Sequence, residues 1–337
     1  MIQHNHPLDE LNTFGLSAKA SHFAEIDSTE DLKILLNSNE GRGLPLFILG
    51  GGSNILLTQD LDALCIKMNI KGRTIIEESE ESITVEFGAG EVWHDIVLHC
   101  ISKGWGGIEN MSLIPGTVGA APMQNIGAYG AEIKDVFVSL DALHIATQEM
   151  HTFDNEACEF GYRQSIFKQA LKGQFIICRV RLKLSKAPTL NTSYGAIQET
   201  LKSKGITEPT LKDVSDAVIE IRQSKLPDPK KIGNSGSFFK NPEINKSQFE
   251  ELQTTFPNIV GYALDNGQVK VPAGWLIEQD GWKGKRIGDI GVHKNQALVL
   301  VNYGRGEGAA IKQLAFDIQA SVKKKYGILL QPEVNII

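Results

Sequence analysis

Residues 114–130 read IPGTVGAAPMQNIGAYG, a long segment rich in glycine and other small residues. Its small residues alternate with Thr117, Asn125 and Tyr129, a composition that makes a poor hydrophobic core. Turns without bulky side chains let backbone N–H groups approach a ligand closely, and the negative oxygens of a pyrophosphate need several such donors. The segment therefore predicts a cradle for a cofactor.

Two shorter glycine turns precede this segment, and each follows an apolar run that predicts a strand. Residues 44–49 lead into Gly-Gly-Gly-Ser-Asn at 50–54, and residues 83–87 lead into Gly-Ala-Gly at 88–90. For 88–90 taken alone, a tight connection is the simpler interpretation. No Gly-Lys-Ser/Thr follows, which excludes a P-loop, and no G-x-G-x-x-G follows the first strand, which disfavours a Rossmann site.

Hydrophobic periodicity predicts the surrounding elements. The proposed N-cap of the first helix is Ser28 or Thr29. The Leu-Pro-Asp-Pro run at 226–229 is the best candidate for a domain boundary. A mixed α+β chain in two or three lobes is expected. The predicted helices are 31–39, 91–103, 213–222 and 308–326, and the later predicted strands are 136–145, 175–184, 297–302 and 328–337.

Composition excludes several classes of protein. A net charge of −6 lacks the basic footprint of a nucleic-acid binder. The four cysteines are scattered and form no C-x-x-C pair, which argues against a disulfide framework or a zinc site and favours a reducing compartment. The polar N-terminus and the lack of a long apolar stretch predict no signal peptide and no membrane span. The histidines lack ligand spacing with acidic partners, so no metal is expected, and we expect a cytoplasmic monomer.

Seven motifs then carry a specific resemblance. They recur in this order in the family of UDP-N-acetylenolpyruvoylglucosamine reductases, and the resemblance spans residues 12 to 334. The motifs are LGGGSN (49–54), GAGEVWHD (88–95), the 114–130 segment, YRQSIF (162–167), GNSGSFFKNP (233–242), AGWLIEQ (273–279) and QPEV (331–334).

The resemblance implies an α+β fold with a two-part FAD-binding domain of the vanillyl-alcohol-oxidase (PCMH) type and a smaller α/β substrate-binding domain. The implied boundaries are 1–70 and 71–226 for the two FAD subdomains and 227–337 for the substrate domain, whose final strand returns to the active site. The implied reaction takes a hydride from NADPH onto FAD. Flavin N5 then delivers it to the methylene carbon of UDP-N-acetylglucosamine enolpyruvate, giving UDP-N-acetylmuramate for peptidoglycan synthesis.

The resemblance also assigns residues. Arg163 would bind the substrate carboxylate, Ser237 would protonate the carbanion, and Glu333 would help hold the enolic oxygen. The implied substrate contacts are Tyr194, on a loop that covers the uridine diphosphate in one of the family's two types, together with Lys225, Asn241, Tyr262 and Lys283. The implied cofactor contacts are Gly50, Gly51, Gly52, Ser53, Asn54, Pro115, Gly116, Thr117, Gly119, Ala120, Asn125, Gly127, Ala128 and Arg222.

Residue chemistry alone leaves simpler roles open. Arg163 could be a surface arginine, Ser237 a turn residue, Glu333 a solvated carboxylate in the last strand, and Tyr194 a β-turn tyrosine. One departure from the family pattern is Asn335, which stands where a basic residue is common.

Two other functions remain open from the sequence. An oxidase of the same superfamily would keep the FAD fold, react fast with oxygen and ignore NADPH. A nucleotide-sugar binding protein without catalysis would keep the substrate contacts but would not need the flavin cradle.

Overall fold

The computed structural model describes residues 1–337, which form two compact units, each with helices and sheets. Both units are assembled from separate stretches of the chain. The first unit comprises residues 1–6, 20–51 and 61–224, and the second comprises residues 7–19, 52–60 and 225–337.

The four helices expected from periodicity are present, with ends that differ from the prediction by up to three residues. Ser28 is the N-cap of the first of them, because its Oγ accepts a hydrogen bond from the N–H of Asp31 at 3.0 Å. The α-helices are α1 (Thr29–Asn37), α2 (Trp93–Ser102), α3 (Gly195–Ser203), α4 (Leu211–Lys225), α5 (Lys246–Thr255), α6 (Ala273–Gln279) and α7 (Gly308–Tyr326).

The first unit contains two larger sheets. One has the strand order Gln3–Pro7, Lys19–Ile26, Leu61–Met68 and Leu46–Leu49, and its last three strands are parallel. The other is antiparallel, in the order Met150–Asp154, Phe137–His144, Phe175–Ser185, Ser82–Gly88 and Arg73–Glu78. A short hairpin, Gly127–Ala128 with Ala131–Glu132, lies within the glycine-rich segment.

Helix α2 covers a hydrophobic core in this unit. The inward positions that the 3.6-residue period predicts, Trp93, Ile96, Val97 and Cys100, are all fully buried. They pack with Val85 and other residues of the antiparallel sheet. The packing fixes the start of α2, and α2 begins three residues after the second glycine turn ends.

The second unit contains three small sheets. One antiparallel sheet has four strands, in the order Gly233–Ser237, Val299–Asn302, Ile290–Val292 and Arg286–Ile287. The other has three strands, in the order Glu243–Asn245, Gln268–Lys270 and Tyr262–Ala263. The third sheet is a parallel pair, Asn335–Ile336 with Ile55–Leu56. The core of the unit forms around α7, and Phe14, Leu16 and Leu56 from the early segments belong to it.

The prediction of a strand over 328–337 is wrong for most of its length, because only Asn335–Ile336 is a strand. Ile328, Leu330 and Val334 are buried at alternate positions, which produces the period of a strand. Only an isolated bridge between Phe239 and Pro332 forms before residue 335. Glu333 therefore precedes the last strand, and Ser237 ends a strand instead of lying in a turn.

No helix of the structure combines the length and the apolar character that a membrane crossing requires.

Candidate active site

The first glycine turn contacts the 114–130 segment directly. A Cβ built on Gly51 would lie 2.7 Å from the Cα of Gly116, and one built on Gly50 would lie 2.6 Å from Oγ1 of Thr117. Side chains at 50 and 51 would therefore collide with the neighbouring segment, which explains why glycine is needed there.

The second glycine turn joins the same place. The N–H of Gly119 donates to the carbonyl of Ala89 at 2.8 Å, and the N–H of Val118 donates to Glu91 at 2.9 Å. A Cβ on Gly119 would lie 2.6 Å from the Cβ of Ala89. All three glycine turns predicted from the sequence are thus brought together, and the 88–90 turn is more than a tight connection.

Two lysines that the sequence did not single out support these turns. The ammonium group of Lys67 donates to the carbonyl of Gly50, and that of Lys71 donates to the carbonyl of Gly90. Burial lowers the pKa of Lys67, Glu25 opposes the shift and Lys71 adds to it. Two positive charges close to glycine turns suit an anionic ligand.

Asn125 shapes the segment through its side chain. It has a left-handed backbone, with φ of 43°, and is fully buried. Its Nδ2 donates to Glu132 at 3.0 Å and to the carbonyl of Gly161 at 3.1 Å, while its Oδ1 accepts from the N–H of Lys134 at 3.2 Å. The amide is therefore bonded within the protein, and Asn125 holds the loop in shape.

Arg163 lies against the same segment. Its Nη2 donates to the carbonyl of Gly127 at 2.7 Å, and its Nη1 contacts the carbonyl of Asn125 at 3.5 Å. Its backbone is also left-handed, with φ of 54°. The guanidinium group that the sequence assigned to a substrate carboxylate thus engages the glycine-rich segment.

Arg222 is a second cation on this side of the first unit. It projects from α4, and its Nε is buried without a hydrogen-bond partner. Burial lowers its pKa, a hydrogen bond with Tyr129 opposes this shift, and the charge of Arg163 adds to it. A buried donor without a partner is costly, which fits a position that faces a ligand.

Tyr194 is tied to the end of the segment. It is 47% exposed and lies at the N-cap of α3, and its ring meets Tyr129 edge-on with centroids 5.1 Å apart. Asn191 strengthens the link, because its Nδ2 donates to the carbonyl of Gly130 at 3.1 Å. The loop before α3 therefore adjoins the predicted cradle.

The second unit brings Ser237 and Glu333 to adjacent segments. The N–H of Glu333 donates to the carbonyl of Phe238 at 2.8 Å. Phe238 and Phe239 are fully buried and anchor this segment, whereas Ser237 is exposed and Glu333 is half-buried. Gly236 enables the bend before Ser237 through its φ of 72°.

Asn54 binds the C-terminal segment. Its Nδ2 donates to the carbonyl of Glu333 at 3.3 Å, and its own carbonyl accepts from the N–H of Asn335 at 3.1 Å and from its Nδ2 at 3.0 Å. The side chain of Asn335 thus holds the backbone in place. The turn residues Gly52 and Ser53 belong to the same unit as Asn54.

The remaining predicted substrate residues are spread over the second unit. Asn241 accepts a hydrogen bond from the N–H of Ala273 at the start of α6, at 3.0 Å. Lys283 pairs with Glu278 at 2.7 Å, whereas Tyr262 is 60% exposed and Lys225, the last residue of α4, is exposed.

A set of possible metal ligands also emerges that spacing did not reveal. His4, His22 and Glu40 each offer a ligand atom, and these atoms lie within 4.8 Å of one another. His4 and Glu40 are exposed and contact each other at 2.8 Å. The three residues come from separate elements, so sequence spacing carried no signal for them.

Two domain families match the chain. The FAD binding domain matches residues 20–154, and the C-terminal domain of UDP-N-acetylenolpyruvoylglucosamine reductase matches residues 228–337. These matches establish an FAD-binding domain and the reductase family's C-terminal domain in a chain whose fold is α+β.

Whole-length relatives agree. A UDP-N-acetylenolpyruvoylglucosamine reductase of Flavobacterium johnsoniae is 57% identical over 337 residues, covering 100% of this chain and 99% of the relative. One of Amoebophilus asiaticus is 53% identical, with 100% and 99% covered. The crystal structure of a Thermus caldophilus reductase has a similar fold, with a TM-score of 0.68, 22% identity and coverage of 100% and 98%. The chain therefore belongs to the UDP-N-acetylenolpyruvoylglucosamine reductase family.

Proposed function

We propose that the protein is an FAD-dependent UDP-N-acetylmuramate dehydrogenase that uses NADPH to reduce UDP-N-acetylglucosamine enolpyruvate to UDP-N-acetylmuramate. The observation that carries the proposal is the full-length identity of 57% to a reductase of this name. We further propose that the chain works as a cytoplasmic monomer, and that 1–70, 71–226 and 227–337 are its functional parts.

The glycine turns and the cations near them fit FAD. Gly50 and Gly51 leave no space for side chains where the turns meet. Gly116 has a φ of 108°, which favours glycine. The buried Nε of Arg222 lacks a partner within the protein. Lys67 and Lys71 add positive charge for a pyrophosphate. We therefore assign the cofactor contacts to the 50–54 turn, the 115–128 segment and Arg222.

FAD bound at this site would supply the two-electron chemistry that carries reducing equivalents from NADPH to the methylene carbon of the substrate. Negative charge then develops on the neighbouring carbon and its carboxylate. We assign Arg163 to stabilising this charge, because its planar fork of donors matches a carboxylate. Glu333 would help hold the enolic oxygen.

The final proton is assigned to Ser237. Its hydroxyl would donate to the carbanionic carbon and would then be reprotonated from solvent, so that NADPH and one proton are consumed for each product formed. The position of Ser237 at an exposed strand end, beside the Glu333 segment, supports this role. A hydroxyl is a weak acid, so neighbouring groups must assist it.

We assign substrate binding to Lys225, Asn241, Tyr262 and Lys283. Tyr194 would cover the uridine diphosphate, which would place the chain in the family type that has this loop. Its exposed ring, held against Tyr129, supports that assignment.

The test is anaerobic stopped-flow absorbance at the flavin band, with NADPH added first and the enolpyruvyl substrate second. Bleaching followed by rapid recovery is expected. Ser237→Ala should bleach normally but recover about 10²–10⁴-fold more slowly, the usual contribution of a proton donor. Ser203→Ala, on the exposed end of α3, should behave like the wild type.

Three results would contradict these assignments. Failure of NADPH to bleach the flavin would overturn the proposed reductase activity. Rapid recovery with oxygen but not with the enolpyruvyl substrate would favour the oxidase. Normal recovery in Ser237→Ala would remove Ser237 from the mechanism while leaving the reductase in place.

A further inference from the structure

Leu113 has an unusual backbone immediately before the 114–130 segment. Its φ is 58°, in the left-handed region that disfavours residues with a branched side chain. Such a conformation persists only where the surroundings enforce it, and it is found often at ligand clamps. The direction in which the chain enters the segment depends on this residue.

His94 provides the constraint. Its Nδ1 accepts a hydrogen bond from the N–H of Leu113 at 2.9 Å. The preceding residue, Trp93, holds both sides of Leu113, because its indole Nε1 donates to the carbonyl of Met111 at 3.1 Å and its backbone N–H donates to Gly116 at 3.0 Å. The first turn of α2 is thus bonded to the chain before, at and after Leu113.

The bond requires a neutral imidazole, because a protonated Nδ1 has no lone pair to offer. Burial lowers the pKa of His94, Asp95 opposes the shift, and the positive charge of Arg222 adds to it. Protonation would remove the acceptor for Leu113 and would add a further positive charge near Arg222. The site therefore favours the state that the bond needs.

We propose that His94 is a positioning residue for the cofactor, whose neutral ring holds Leu113 left-handed and so sets the 114–117 backbone against FAD. Protonation of His94 then loosens FAD. This inference rests on the proposed cofactor site and goes beyond it, because His94 itself is not assigned to touch FAD or the substrate.

The experiment measures the dissociation constant of FAD from the full-length protein between pH about 7.5 and about 4.5, because the pKa of His94 lies below the ordinary value for histidine. Release is followed by the recovery of flavin fluorescence. His94→Asn can place its side-chain oxygen where Nδ1 lies, whereas the oxygen of His94→Gln reaches the position of Nε2. The two variants have similar polarity and differ in where they present an acceptor.

The wild type should bind FAD more weakly as the pH falls. His94→Asn should retain the affinity at pH 7.5 within about threefold and lose the pH dependence, whereas His94→Gln should bind about 5- to 10-fold more weakly at every pH, the worth of one hydrogen bond. Leu113→Gly accepts a positive φ without help. Adding it to His94→Gln should restore most of the affinity.

Thermal unfolding of the FAD-free variants serves as the control for folding. Equal FAD affinity and an unchanged pH profile in His94→Gln would overturn the proposal, as would failure of Leu113→Gly to restore binding in a folded double variant. If the wild type itself binds no FAD, the proposed cofactor site is wrong, which is a different outcome.

Discussion

The ammonium group of Lys67 donates a hydrogen bond to the carbonyl oxygen of Gly50, 17 residues earlier in the chain. The bond joins the end of strand Leu61–Met68 to the first glycine turn. Lys67 is half-buried, and burial lowers its pKa, so the bond and its charge are both sheltered from solvent.

Replacement of Lys67 should therefore weaken FAD binding. Lys67→Met keeps much of the volume but removes the donor and the charge, and the loss should be about 10-fold or more, because a charged hydrogen bond contributes about 1.5–3 kcal/mol. Flavin fluorescence titration measures it. Lys172→Met, on an exposed turn of the same unit, is the matched control. Equal losses in both variants would contradict a local role.

A methyl group at residue 51 should disturb the meeting of the turns. Gly51→Ala places its Cβ 2.7 Å from the Cα of Gly116, a backbone atom that moves only with the loop. We expect destabilisation of about 1–3 kcal/mol, typical of overpacking, together with loss of FAD. Urea unfolding measures the stability. Gly195→Ala, which meets nothing within 4 Å, should leave stability unchanged or improve it. Full FAD retention in Gly51→Ala would count against the close contact.

Glu91 should contribute to acid sensitivity. Burial raises the pKa of its carboxyl, but hydrogen bonds from the N–H of Gly72 and from Arg73 outweigh this and hold the pKa below its usual value. Because the folded pKa lies below the unfolded one, the stabilisation is complete above about pH 4.3 and is lost as the pH falls through the folded value.

We expect the unfolding free energy to fall less steeply in Glu91→Gln than in the wild type as the pH is lowered from neutral to below about 4.3. The variant should also be about 1–3 kcal/mol less stable at neutral pH, because a buried charged hydrogen bond is weakened. Glu80→Gln, at an exposed position, serves as the control. Parallel pH profiles for wild type and Glu91→Gln would refute this account.

Gly327 should matter for the stability of the second unit. It follows the last residue of α7 with φ of 69°, and its N–H donates to the carbonyl of Lys323 at 2.9 Å. Gly327→Ala should cost about 1 kcal/mol, because alanine is strained in this region. Gly327→Asn should cost less, since asparagine tolerates the left-handed cap. Thermal unfolding should give the highest midpoint for the wild type, a lower one for Gly327→Asn and the lowest for Gly327→Ala. Equal midpoints would disprove the effect.

The amino-acid sequence predicts well the elements whose signals are local. Helix α7 has the predicted ends, Gly308 and Tyr326, because a 3.6-residue apolar period leads to a glycine that stops the helix. The inward face of α2 is equally local. The prediction of a strand over 328–337 was wrong for most of its length. Alternating buried residues indicate contact with a core, whereas a strand also needs a hydrogen-bonding partner for its backbone.

The candidate site was only partly predictable for the same reason. Glycine turns can be recognised in the sequence, and the hypothesis of a cofactor cradle predicts that they lie together. The lysines that bond to these turns cannot be recognised in this way, because Lys71 contacts Gly90 from 19 residues away and belongs to no motif. The bonding of Asn125 to Glu132 and Gly161 likewise depends on tertiary structure.

The assembly of the second unit from separate stretches has a consequence for biosynthesis. Phe14, Leu16 and Leu56 emerge early from the ribosome, yet the other members of their core begin at Phe238. These apolar side chains must therefore wait, without their native partners, until most of the polypeptide has been translated. During that interval they expose apolar surface, so we expect chaperones to bind this stretch of the nascent chain.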